Sequence, residues 1–111
     1  MCIFCNPVIR EQGVIAENDL AFVIYDKFPQ SRGHCLVIPK RHSDNIFGLT
    51  AEEATAIFEL LSRAKSYLDA KYSPNGYNIL NNCGADAGQV VFHTHIHLIP
   101  RYPNDKLEVL A

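Results

Sequence analysis

Three of the five histidines in this chain of 111 residues stand at alternate positions, His93, His95 and His97, within Gln89-Val90-Val91-Phe92-His93-Thr94-His95-Ile96-His97-Leu98-Ile99-Pro100. Their β-branched and aromatic neighbours favour an extended strand, whose alternate side chains leave the same face. The three imidazoles are therefore expected to form one row, with Thr94, Ile96 and Leu98 turned into a core. A row of imidazoles suggests a metal first. With a rise of about 3.3 Å per residue the outer two sit about 13 Å apart, whereas the ligand nitrogens of one zinc lie about 2.1 Å from the ion. A straight strand cannot bring all three to one ion, although two neighbours could share one with a ligand from elsewhere. The row better suits an extended anionic substrate, attacked by one ring and held by the others, and the middle ring, His95, is best placed to attack. A lone histidine in a half-buried strand is usually just packed and hydrogen-bonded; burying three protonatable rings for packing alone is costly.

A second constellation opens the chain. Cys2-Ile3-Phe4-Cys5 is a Cys-x-x-Cys pair, a spacing that lets two thiolates reach one tetrahedral zinc but supplies only half a site. The bland alternative is two small residues kept reduced. With Cys35 and Cys83 the chain holds four cysteines, enough for two disulfides, but in a cytosolic chain they are expected to be reduced or metal-bound.

His93-Thr94-His95-Ile96-His97-Leu98-Ile99 resembles the His-x-His-x-His-apolar-apolar signature of the histidine triad (HIT) family of nucleotide hydrolases and transferases. Gly33-His34-Cys35-Leu36-Val37-Ile38-Pro39-Lys40-Arg41-His42 resembles the family's other recurrent block, and Gly88-Gln89 its approach to the triad; the likeness runs from Ile3-Phe4 to Arg101. The resemblance implies an α+β, HIT-like fold: a mostly antiparallel five-stranded sheet with one long helix and a short N-terminal helix, assembled as a homodimer. It implies a small-molecule nucleotide substrate with His95 as nucleophile, forming a nucleotidyl-histidine that water then hydrolyses. His97 would donate to a nonbridging phosphate oxygen, and His93 would orient the site or ligate a metal. Gln89 joins these catalytic groups, and with Asn82 would donate to phosphate or its bridging group. Asp26 would bind the ribose, and Ile3, Phe4, Val8 and Ile24 are candidate walls for the base, each equally plausible as core. Some similar HIT proteins carry zinc on such a Cys-x-x-Cys with two histidines, here Cys2, Cys5, His42 and His93; catalysis would need no metal. One departure is Val90, where the family usually has Ser or Thr. A hydroxyl that could meet phosphate is absent, which weakens assignment to the phosphoramidase branch and leaves the dinucleoside polyphosphate hydrolase branch open. The nucleotidyltransferase branch has Gln at the last triad position, so His97 favours a hydrolase.

The elements that must position these residues are legible by period and punctuation. Val14–Glu17 and Leu20–Tyr25 read as a hairpin around Asn18-Asp19. Residues 26–33 have no period and form a loop, which Asp26 opens where rigid backbone can aim a carboxylate; a loop-capping role is the alternative. His34 to Lys40 is a compact apolar strand, with His34 supporting its end. Thr50-Ala51-Glu52-Glu53 is a capping box, and Ala54, Ile57, Phe58, Leu61, Ala64 and Leu68 predict one helix over about 51–71. Ser73-Pro74-Asn75-Gly76 ends it, Tyr77–Asn81 is another strand, and the small, polar loop 82–89 lets backbone N–H groups approach a phosphate. Residues 102–111 carry no assigned chemistry.

Length, 48% hydrophobic and 20% charged residues bound this to one globular domain, residues 1–111. A net charge of −2 argues against general binding to nucleic acid or membrane surfaces. No run approaches 18 apolar residues and the start lacks the regions of a signal peptide, so a cytoplasmic location is expected. There is neither a Gly-rich Lys-Ser/Thr loop nor a cluster of acids for magnesium-dependent phosphoryl transfer. The competing reading is a zinc-stabilised interaction protein that binds nucleotide without turnover.

Overall fold

The computed structural model describes residues 2–105. A short helix α1 (Val8–Glu11) leads into β1 (Ala16–Glu17), β2 (Ala21–Tyr25) and β3 (Cys35–Pro39); the long helix α2 (Ala51–Tyr72) follows, then β4 (Gly76–Leu80) and β5 (Ile96–Arg101). These strands form one antiparallel sheet in the order β1-β2-β3-β5-β4. The chain is α+β with five strands, as expected.

Period two along the strands gives the sheet two covered faces. Ala21, Val23, Cys35, Val37, Ile96 and Leu98 pack under Ile57, Leu60, Ala64 and Leu68 of α2. Phe22, Ile24, Leu36 and Ile38 leave the other face, where Ile9 of α1, Phe4 and Val14 cover them. His97 pairs with Leu36 across β3 and β5, which puts it on the face away from α2.

The helix starts as its sequence requires. The Thr50 hydroxyl accepts from Glu53 N, and Glu53 Oε1 accepts from Thr50 N at 2.8 Å. The buried stripe, however, is Glu53, Ile57, Leu60, Ala64 and Leu68. Ala54 is exposed, Phe58 is 70% exposed and Leu61 only borders the core. The apolar arc of α2 is wider than the strip that one sheet can cover, so its flank stays outside.

Glu53 also takes the guanidinium of Arg41, Nε to Oε2 at 2.9 Å and Nη2 to Oε1 at 2.7 Å. That pairing, reinforced by the Thr50 amide, holds its carboxyl down to about 2 from 4.5. A depressed carboxyl contributes stability that is complete above its unfolded pKa and is lost as pH falls through the folded one. Stability should therefore drop between about pH 4.5 and 2. Glu53→Gln, which keeps an acceptor for Thr50, should cost about 1–2 kcal/mol at pH 7 and flatten that acid limb, as urea melts across pH would show.

The triad segment departs from one continuous strand. Only His97 lies in β5; residues 91–93 bend, and Thr94 and His95 precede the ladder. Long-range bonds cause this. Thr94 N and Oγ1 both donate to Ser43 O, at 2.7 and 3.0 Å, tying the chain to the loop after β3 instead of to β3 itself.

Candidate functional site

His95 and His97 remain neighbours on the side of the sheet away from α2, with ring centroids 5.2 Å apart. His95 Nδ1 lies 2.8 Å from the carbonyl of His93. A carbonyl only accepts, so Nδ1 carries the proton and the lone pair is on Nε2. The edge of Phe4 braces this ring at 5.3 Å.

A chain of donors fixes His97. The Gln30 amide donates to His34 Nδ1 at 3.0 Å, so His34, which is buried, carries its proton on Nε2. His34 Nε2 lies 2.9 Å from His97 Nδ1, which therefore accepts and leaves the His97 proton on Nε2. Asp26 Oδ2 stands 3.4 Å from His34 Nε2 and 3.9 Å from His97 Nδ1, while its Oδ1 accepts from Phe28 N at 2.9 Å. Burial first, then the positive charge that His95 and His34 would carry, pushes the His97 pKa down to about 4. It is a neutral donor at pH 7.

Cys2, Cys5, His42 and His93 converge, their ligand atoms all within 4.8 Å of one another. His93 is fully buried and donates from Nε2 to Pro39 O at 2.8 Å, so its Nδ1 lone pair faces Cys2 Sγ at 3.2 Å and Cys5 Sγ at 3.4 Å. His42 Nδ1 faces Cys5 Sγ at 3.3 Å and its Nε2 meets Asp44 Oδ1 at 3.3 Å. Two thiols and two imidazoles, each ring oriented by an acceptor on its far nitrogen, fit a tetrahedral zinc. Asp26, His34 and His97 also cluster within 4.8 Å. A metal there would take His34 Nε2 while the Gln30 amide holds Nδ1, demanding an imidazolate. That trio does not fit an ion.

The model of the HIT domain matches residues 9–104. This chain belongs to the HIT family. A crystal structure of a HIT family protein from Bacillus anthracis superposes with a TM-score of 0.88 at 41% identity, over 99% of this chain and 80% of that one. A zinc-bound histidine triad family protein from Mycobacterium smegmatis gives 0.83 at 32% identity, over 96% and 79%. The adenosine 5'-monophosphoramidase hnt1 of Schizosaccharomyces pombe is 36% identical over 107 residues, 95% of this chain and 77% of that protein.

The remaining expected site residues fall variously in this HIT domain. Asn82 lies over Gly88 at the mouth of loop 82–89. The Gln89 carboxamide is buried and fully used, accepting from Gly84 N at 2.7 Å and donating to Val91 O at 3.0 Å and to Asp44 O. It latches the loop to the segment that carries His42, and would have to leave these partners to reach a phosphate. A cavity of about 680 Å³ has Ile9, Gln12, Val14, Ile24 and Asp26 among its walls. Of the four expected wall residues only Ile24 lines it. Ile3 and Val8 are half exposed, and Phe4 packs on the rings of His93 and His95.

Sequence reasoning did not bring out Ile9 and Val14 as walls of this cavity, or His34 as a partner of His97. Alternation along β3 could have found His34, which shares the face of Leu36.

Proposed function

We propose that this HIT protein hydrolyses a purine nucleotide conjugate at its α-phosphate, a dinucleoside polyphosphate or a nucleoside phosphoramidate, through a nucleotidyl-histidine on His95. The observation that carries this reading is the bond from His95 Nδ1 to the His93 carbonyl, which fixes the tautomer whose lone pair is on Nε2, in a ring next to His97 with its Nε2–H donor. The base enters the cavity, the ribose meets Asp26, and the α-phosphate lies over the triad.

In the first step His95 Nε2 forms a bond to phosphorus as the bond to the leaving group breaks in line, with the electron pair leaving on the departing phosphate oxygen, or on a departing nitrogen that takes a proton from water to leave as the amine. His97 Nε2–H steadies charge on a nonbridging oxygen, with backbone N–H groups and Asn82 of loop 82–89 assisting. Water then attacks phosphorus, losing a proton to bulk solvent, the N–P bond breaks with its electron pair returning to Nε2, and the nucleoside monophosphate leaves with His95 restored. The phosphoramidase activity named for the 36% identical relative from Schizosaccharomyces pombe supports the class.

Cys2, Cys5, His42 and His93 would hold zinc, which supplies a crosslink between the N-terminus and the triad and takes no part in the chemistry. We further propose a homodimer, because β4 ends the sheet with Ile79 and Leu80 exposed, and a cytoplasmic location, because all four cysteines are free. Among the described residues no helix is long and apolar enough to cross a membrane.

Intact-protein mass spectrometry after brief incubation with an adenosine phosphoramidate, and separately with a diadenosine polyphosphate, tests the reading under alkaline quench. A nucleotidyl adduct is expected from at least one, and that substrate selects the branch. No adduct and no nucleoside monophosphate from either would leave a nucleotide-binding protein without turnover.

A further inference from the structure

The main-chain pairing of β4 with β5 ends at Leu80 opposite His97, two residues short of the nucleophile. Beyond that pair the chain bends away into loop 82–89, and His95 stands outside the ladder. One side chain bridges the gap. Asn81 Nδ2 lies 2.9 Å from the His95 carbonyl, and Asn81 Oδ1 lies 2.9 Å from the Cys83 thiol. Because the carbonyl can only accept, the nitrogen of the amide must face it, and the oxygen then receives the thiol proton. Both polar ends of Asn81 are committed, so its orientation is fixed.

His95 is thus gripped twice. Its ring donates to the His93 carbonyl and its own carbonyl accepts from Asn81. The first bond sets the tautomer and ring plane; the second stops the His95 peptide from rotating and carrying the ring with it. We infer that Asn81 is a positioning residue for His95, extending the sheet by a side-chain bond to the peptide from which the attacking imidazole is aimed. The kinetic part of this inference rests on the proposed hydrolase activity. Misplacement of a reacting atom by about 1 Å costs about 100-fold in rate, so a bond remote from phosphorus is able to govern turnover.

Asn81→Asp is the deciding variant. It is isosteric, so it preserves packing, but it sets a carboxylate oxygen against the carbonyl. Asn81→Ala removes the bond without repulsion, and Asn81→Gln retains a donor. Two readouts are needed. The His95 Nδ1 proton, followed by ¹H–¹⁵N NMR, should be protected from exchange in wild type and lost in Asn81→Asp and Asn81→Ala. In steady-state kinetics kcat should fall about 10- to 100-fold in those two, with KM within about twofold and partial recovery in Asn81→Gln. Retention of both the protected proton and wild-type kcat in Asn81→Asp would overturn the inference. If the wild type itself turns over nothing, the hydrolase reading fails, and the NMR comparison alone decides whether Asn81 holds His95.

Discussion

His95→Ala is expected to lower kcat by at least about 10⁴-fold while leaving nucleotide affinity within a fewfold of wild type. The loss is large because the proposed route runs through a bond to His95 Nε2. Water attacking directly would have neither the pre-aligned nucleophile nor the division of one difficult displacement into two. Binding should survive because Asp26, the cavity and loop 82–89 do not depend on this ring. His97→Gln keeps an N–H donor of different reach and should lose less, about 10²- to 10³-fold. The double variant should be no worse than His95→Ala, since a charge-stabilising donor has no covalent step left to assist. Single-turnover kinetics with titration of the unreactive nucleoside monophosphate checks all three. A His95→Ala protein within about tenfold of wild type would exclude covalent catalysis on this residue.

Withdrawing zinc from the proposed Cys2, Cys5, His42 and His93 site is expected to have the second largest effect, on stability. Zinc held at a hundred times its dissociation constant stabilises the folded state by about 2.7 kcal/mol, which in a domain of this size corresponds to a melting temperature higher by about 10–20 °C. Chelation should remove that increment, and Cys5→Ser should abolish it even with zinc present. Asp44→Ala should weaken zinc about 10- to 100-fold by releasing the far nitrogen of His42. Metal analysis at one zinc per chain and melting with and without chelator provide the check; identical melting in both would show that the four residues stay reduced and empty. The site also reaches the triad. His93 would offer its ring to zinc and already gives its carbonyl to His95, so withdrawing zinc should lower kcat along with stability.

Much of the site is legible locally. Alternation in His93-Thr94-His95-Ile96-His97 places His95 and His97 on one face, the Cys2-x-x-Cys5 spacing marks half of the thiol–imidazole cluster with His42 and His93, and Thr50 with Glu53 states where α2 begins. What escapes local reading is decided by partners far along the chain. The strand expected from residue 90 onward starts only at Ile96, because Thr94 bonds Ser43, 51 positions earlier. Gln89 has the right chemistry for a phosphate donor, yet its carboxamide is claimed by backbone groups as distant as Asp44. Phe58 and Leu60 are equally apolar, and only the placement of the sheet shows that Leu60 is the one inside. Asn81 reads as the polar end of a strand; its value lies in which carbonyl it meets.

The amide of Gln30 sets the direction of the donor chain through His34 to His97, and a backbone amide neither titrates nor changes sense in the working pH range. The exposed Gln30 side chain has no part in this. Position 30 should therefore accept almost any amino acid in a library selected for activity, with proline the exception, because proline alone has no N–H to give.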